Sequence, residues 1–272
     1  MKKQFFFYLL VSCLGCFITT AQESSPPVPP PPCDANVTTW NGSSWSNGVP
    51  NNSSYLNFQV IFSDSFNSTE SLFACSVALG SNVTVIVNPN HTLTVQNGID
   101  SAQGNLTFQD DASLVQINPN AVNAGNINYI RETTPVIFSD YTYWSSPVSG
   151  QLMSGIYAAG QAPNPAYGHY YWNASAVPTP IDSAIYHSGA WAQVWASATI
   201  MTPGVGYIVP GPASFSASAP NEATITFSGP VNNGTINVPV QGETYAINNS
   251  STTPCTRDKM IMNFVGNPYP SA

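Results

Sequence analysis

Between residues 82 and 119 the chain reads NVTVIVNPNHTLTVQNGIDSAQGNLTFQDDASLVQINP, and apolar residues alternate within its short runs VTVIV, HTLTV, NLTF and SLVQI. A period of two is the mark of strands with one buried face, and the Asn, Gly, Pro and Asp residues between the runs are turn formers. The runs also recur at a constant offset of 21. Val85 is matched by Leu106 and then by Ile127, Val87 by Phe108 and Tyr129, and Leu93 by Leu114. The series extends backward at the same offset, from Leu93 to Leu72 and from Val87 to Phe66. A fixed repeat of strand and turn describes a coil that adds one rung per repeat, with like side chains stacked about 4.8 Å apart. The pattern therefore predicts a short right-handed parallel β-solenoid of about 21 residues per rung over residues 34–134. Val87, Phe108 and Tyr129 would form one interior ladder and Leu72, Leu93 and Leu114 another, while Thr94 and Thr107 face solvent. Gln116 breaks the match to Val95, and an ordinary antiparallel sandwich with coincidental spacing is the competing architecture.

About three full rungs fit, the smallest number at which such stacks hold together, and the first rung leaves an open edge that needs a cover. TTWNGSSWSNGVPN, residues 38–51, suits that role, because Trp40 and Trp45 can lie across the apolar ladder while Gly and Asn turn the chain. After TTP, residues 133–135, the repeat stops and aromatic residues become dense. ATITFSGPVNNGTINVPV, residues 223–240, reads as strand, turn and strand. Residues 135–272 are expected to form an aromatic-rich, antiparallel β-sandwich-like domain. KMIMNFVGNPYPSA runs to the last residue without a polar fade, so this domain is expected to be truncated. The fold class read from these patterns is all-β.

The segment 1–21, MKKQFFFYLLVSCLGCFITTA, has a basic start, an apolar middle and a small residue at the end, the pattern of a secretory signal peptide. Its apolar run from Phe5 to Ile18 is shorter than the roughly 20 residues a membrane span needs. LVSC, residues 10–13, is a rival lipoprotein signal with Cys13 as the lipidated residue. The predicted cut after Ala21 makes the export machinery a partner and leaves a mature chain with no transmembrane span. Residues 22–33, ending in SSPPVPPPPC, read as a Pro-rich polyproline II linker.

Charge narrows the functions further. Only 7% of residues are charged, against roughly 25% in an average soluble domain, so uncharged polar side chains keep the surface wet. The formal net charge is −8, and loss of Lys2 and Lys3 with the signal would take it to −10. Neutralising phosphates needs clustered Lys and Arg, which excludes nucleic acid as a partner and disfavours anionic membranes. Of five cysteines, Cys13 and Cys16 would leave with the signal, and Cys33, Cys75 and Cys255 remain. In an oxidising compartment Cys33 with Cys75 is the favoured disulfide, with unpaired thiols as the alternative.

Catalytic chemistry is sparse. Asp110 and Asp111 could be a carboxylate pair for glycoside hydrolysis, but neighbours on a strand point to opposite faces and QDDAS reads as a turn. His91, His169 and His187 lack metal-ligand spacing, and Arg131 is the only basic residue of the repetitive region. No catalytic residue, metal or cofactor is expected. GHYYWN, residues 168–173, and GAWAQVW, residues 189–195, hold Trp172, Trp191 and Trp195. Trp191 and Trp195 would share one face of a strand, where an exposed indole can stack on a sugar ring; the competing reading places these rings in a core.

TTWNGSSWSNGVPN, LFACSVAL followed by TLTVQNG, DYTYWSSPVSG, MTPGVGYIVPGP and NFVGNPYPSA occur in that order. Together they resemble large secreted, adhesin-like surface proteins of Bacteroidetes bacteria. The resemblance implies export by the type IX machinery, although the C-terminal sorting domain of that family is absent from this sequence. It brings no catalytic residue. DSA at residues 100–102 and 182–184 resembles the O-glycosylation acceptor of exported Bacteroidetes proteins, making Ser101 and Ser183 candidate modification sites. The expected function is that of an exported, non-catalytic, adhesin-like protein that contacts glycans or other surface proteins. A polysaccharide lyase or glycoside hydrolase on a β-helix is the alternative.

Overall fold

The computed structural model of the chain describes residues 33, 36–157, 164, 166–176, 187–241 and 260–271. The expected signal peptide and nearly all of the Pro-rich linker lie outside them, as do Ser183 and Cys255. The fold is all-β, with two short 3-10 turns at Ser53–Asn57 and Met153–Ile156.

The first part is a β-solenoid of three parallel sheets. Strand β1 (Val37–Trp40) pairs with β2 (Gln59–Phe62). The chain then turns through β3 (Phe66–Asn67) and β4 (Leu72–Ala74) before returning as β5 (Ser76–Leu79), directly beside β2. The next coil is completed by β6 (Thr84–Val87) and β7 (Thr92–Val95), and the third by β8 (Ile99–Asp100), β9 (Asn105–Phe108) and β10 (Ser113–Gln116). Strand β11 (Ile127–Glu132) adds a last rung to the sheet of β3, β6 and β9. Inward-facing residues stack in register, as in Val60, Val77 and Ile99, in Val85, Leu106 and Ile127, and in Leu72, Leu93 and Leu114. All nine are buried, and the outward neighbours Thr94 and Thr107 are not.

The 21-residue offset holds between β4, β7 and β10 and between β6, β9 and β11. It does not hold in the first coil. Phe66 pairs with Val85, at an offset of 19, rather than with Val87, and β2 meets β5 at an offset of 17. The first coil is shorter at successive corners: Phe62 to Phe66 is a step of four residues where Leu79 to Val85 is six, and Phe66 to Leu72 is six where Val85 to Leu93 is eight. Where the offset is kept, the corners repeat as well. Asn90 and Asp111, separated by the same offset of 21, both adopt the left-handed conformation at φ 63° and 59°, which Asn and Asp tolerate better than other side-chain-bearing residues. The Asn90 N–H donates to the Asp111 carbonyl at 3.2 Å, linking the two corners.

Both ends of the stack are closed. At the start, Trp40 and Trp45 pack on Phe66 with ring centroids 5.1 and 5.3 Å away, and Trp45 also meets Phe62 at 5.5 Å. At the far end, Gln116 is in register with Val95, but its amide makes two reciprocal hydrogen bonds with the Asn123 amide, at 2.8 and 2.9 Å. A polar residue therefore sits in a ladder position where the ladder ends. The edge of β11 is covered by β17 (Thr224–Gly229), which pairs antiparallel along its whole length. The edge of β10 receives the chain's last described residues, with the Leu114 N–H donating to the Pro270 carbonyl at 2.7 Å.

Residues 223–240 do not form the expected hairpin. The segment after β17 has no strand through residue 240, because its turn residues are taken by tertiary contacts. Val231 bridges Val148, and the Asn233 amide donates to the carbonyls of Asn118 and Ala121 on the coil.

Between β11 and β17 the chain builds an antiparallel sheet from β12 (Tyr141–Trp144), β13 (His169–Asn173), β15 (Ala190–Val194) and β16 (Tyr207–Pro210), in the order β12-β16-β13-β15. Two short strands, β14 (His187–Ser188) and β18 (Met260–Ile261), pair in parallel. One face of the antiparallel sheet is internal. Tyr207, Val209 and His169 are buried on it, and the Trp144 ring packs on Phe227 of β17 at 5.9 Å. Met153, Ile156, Met201 and Ile225 are buried in the same continuous core as the solenoid ladders.

Candidate functional site

The other face of this sheet carries an exposed aromatic surface. Antiparallel register places Tyr143, Ile208, Tyr170 and Gln193 in one row across the four strands, and Trp172 beside Trp191 in the next. Tyr141 and Trp195 extend the same face by the two-residue alternation. Trp195 is 77% exposed and Tyr143 65%, while Trp191 and Tyr141 retain somewhat over a third of their accessible surface.

The rings brace one another. Trp172 and Trp191 meet edge to face at 5.1 Å, and Tyr141 and Tyr170 lie 6.3 Å apart. The Trp172 indole N–H donates to the Met262 carbonyl at 2.6 Å. Phe264 stands between Tyr143 and Trp191, with centroids 5.3 and 5.7 Å away. It reaches that place because Gly206 lacks a side chain: a Cβ there would lie 2.3 Å from the Phe264 ring. Burial, and then the neighbouring Tyr170 and Tyr167, raise the Tyr141 phenol above its ordinary pKa, keeping it a neutral hydrogen-bonding group. The strand residues of this face carry no charge. Such a surface offers flat apolar rings with polar edges, suited to stacking against sugar rings or against another protein.

Trp191 and Trp195 thus share a face, and Trp172 stands beside Trp191. Sequence reasoning missed Tyr141, Tyr143, Tyr170 and Phe264 as members of the same surface. YTYW and HYYW place aromatic residues on both faces of their strands, so alternation alone does not separate the buried rings from the exposed ones.

The remaining candidates are dispersed. Cys33 and Cys75 form a disulfide with Cα atoms 5.4 Å apart, and the Asn97 amide lies 3.4 Å from each sulfur. Ser101 is buried, and its hydroxyl donates to the carbonyls of Ala124 and Asn126 at 3.2 and 2.8 Å. That placement argues against Ser101 as a glycan acceptor on the folded chain. Asp110 and Asp111 occupy a turn, where Asp110 accepts from the Glu132 N–H at 3.1 Å. Arg131 is committed to the same turn: its guanidinium donates to the carbonyls of Gln109, Ile130 and Ala112 at 3.1, 2.8 and 2.7 Å and to the Tyr129 hydroxyl, and stacks on the Tyr129 ring. Burial lowers its pKa, partly opposed by Asp110 and Asp111.

His91 pairs through Nδ1 with the Ser68 hydroxyl at 2.7 Å. His169 is buried beside Tyr157, 3.1 Å from its hydroxyl, which donates to the Pro210 carbonyl. Burial depresses His169 to about 4 and pushes the Tyr157 phenol far up. No group of three or more His, Cys, Asp and Glu that could hold a metal occurs among the described residues. Among the described residues no helix is long and apolar enough to cross a membrane.

The structure defines a class: an all-β protein in which a capped parallel β-solenoid, its last rung covered by the antiparallel strand β17, shares a core with an antiparallel sheet bearing an aromatic face. Residues 35–272 match the family described as Domain of unknown function (DUF8693), and the chain belongs to that family. Neither the curated proteins nor the solved structures include a match to this chain.

Proposed function

We propose that the protein is an exported, non-catalytic, adhesin-like component of the cell surface or extracellular space, and that it holds a glycan or a partner surface against the face bearing Tyr143, Trp191 and Trp195. The observation that carries this reading is the sidedness of the antiparallel sheet. Its inner face is packed, and its outer face presents aromatic rings to solvent without a charged residue on the strands. Large exposed aromatic surface is costly to leave in water and marks interaction sites. The signal-like segment 1–21, the scarcity of charge and the likeness to Bacteroidetes surface proteins support export. The commitment of Asp110, Asp111 and Arg131 to one turn favours binding over hydrolysis.

Adsorption of the purified protein to insoluble polysaccharides and to whole cells tests the proposal, with the double variant Tyr143→Ala and Trp195→Ala as the comparison. Both side chains are mostly exposed, so the variant should melt like the parent while losing most adsorption. Equal adsorption by parent and variant would remove the aromatic face from the function.

A further inference from the structure

At the opposite end of the coil, the aromatic cap encloses a recess with ligand chemistry of its own. Trp40, Trp45 and Phe66 form its apolar wall, and Ser44, Asn67, Thr69 and Glu70 are among its polar lining residues, around a cavity of about 470 Å³. That volume falls within the roughly 300–1,000 Å³ of small-molecule sites. The rings are held in place before any ligand arrives: Trp40 meets Trp45 at 5.5 Å and Phe66 at 5.1 Å, and the Trp40 indole N–H donates to the Ser65 carbonyl at 3.0 Å.

Several polar groups of the lining are not occupied in the same way. The Trp45 indole N–H, the Ser44 hydroxyl, the Asn67 amide and the Thr69 hydroxyl make no hydrogen bond among the described residues. Glu70 accepts from the Asn51 amide through Oε2 at 2.9 Å, leaving Oε1 without a partner there. None of these atoms is sealed from solvent, since the only buried unpartnered side-chain polar atom among the described residues is the Ser145 hydroxyl.

We propose that this recess binds one uncharged pyranose ring of a glycan, with the ring's C–H face on Trp45 and its hydroxyls on Asn67, Thr69 and Glu70. A pyranose has one apolar face and a rim of groups that both donate and accept, which matches a wall of rings beside amide, hydroxyl and carboxylate groups. A purely apolar ligand would leave those groups unpaired, at a cost in affinity. A uronic or other acidic sugar would bring a second carboxylate toward Glu70, and among the described residues no Lys or Arg lines the recess to offset it. The site lies on the cap, so it does not depend on the reading of the antiparallel sheet.

Saturation-transfer NMR on the full chain, with glucose, galactose, mannose, N-acetylglucosamine and glucuronate as separate probes at millimolar concentration, tests this assignment. At least one neutral sugar should receive magnetisation through its ring protons, and glucuronate should not. Trp45→Ala would disturb the cap packing, so the discriminating variants are Asn67→Ala and Thr69→Ala, whose exposed side chains make no internal bond among the described residues. Each should weaken the neutral sugar about five- to tenfold, the effect of one lost hydrogen bond, at an unchanged melting temperature. Glu70→Gln should admit glucuronate. The assignment is overturned if no neutral sugar binds, if glucuronate binds the parent equally well, or if Asn67→Ala and Thr69→Ala leave binding intact. Loss of binding in Trp195→Ala with retention in Asn67→Ala would move the sugar to the antiparallel sheet and equally refute the cap site.

Discussion

Leu93 stacks on Leu114 in the register of β7 and β10, both side chains buried, while Thr94, one residue along, faces outward between Phe73 and Val115. Neighbouring positions should therefore respond in opposite ways to the same change. Leu93→Asp places a carboxylate in an apolar ladder with no cation beside it, and should cost several kcal/mol. Thr94→Asp should stay within about 0.5 kcal/mol of the parent. Urea melts of the two variants decide it; similar losses in both would contradict the observed facing of the ladder.

The Cys33–Cys75 bond closes a loop across a separation of 42 residues and ties the segment preceding β1 to the solenoid. Replacing both cysteines with alanine should lower stability by about 2–4 kcal/mol. Alkylation of the non-reduced, unfolded parent should leave residues 33 and 75 unlabelled, and modification of either would show that the bond does not form.

His169 links stability to pH. It is held neutral in the folded chain, with its pKa lowered to about 4 by burial, whereas an exposed imidazole titrates near about 6.5. As pH falls below that value, the unfolded chain takes up a proton that the folded chain refuses until about pH 4. The contribution is therefore complete above the unfolded pKa and is lost as pH falls through the window to the folded one. Melting temperatures followed over this range should decline less steeply in His169→Gln than in the parent; parallel profiles would assign the decline to other groups.

Arg131 holds three backbone carbonyls with one planar guanidinium. A lysine ammonium is a compact point charge and does not reproduce that fork. Arg131→Lys should cost about 1–3 kcal/mol, detected in urea unfolding at constant pH. An unchanged midpoint would mean that water replaces the lost bonds without penalty.

The interior ladders are legible in the sequence because a buried position on a strand excludes polar side chains, so alternation and offset both survive there. Corner length leaves no such trace. The segments joining β2 to β3 and β3 to β4 are rich in polar turn-compatible residues, as are their counterparts in the next coil, and nothing in their chemistry announces that each step is two residues shorter, which is why Phe66 pairs with Val85 and not with Val87. Gln116 reads as a break in the repeat and is a paired member of it, because its partner Asn123 lies in an irregular segment that periodicity does not describe. The aromatic face is only partly readable. Tyr170 and Tyr171 are neighbours of one residue type on opposite sides of β13, and which side is open depends on packing elsewhere in the chain.

The closure of β11 by β17 has a consequence for the order in which the chain is made. Ile127 finds its partner at Gly229 and Glu132 at Thr224, so the coil can assemble rung by rung from nearby residues, but its last edge must wait for about a hundred more to emerge. During that interval β11 presents a bare row of N–H and C=O groups, the kind of template that recruits foreign strands. A chain ended after Thr134 freezes this moment, and in size-exclusion chromatography it should run as concentration-dependent oligomers where the full chain does not. Strand β17 is in this sense also an internal stopper, delivered late, that keeps a stackable fold from continuing into its neighbours.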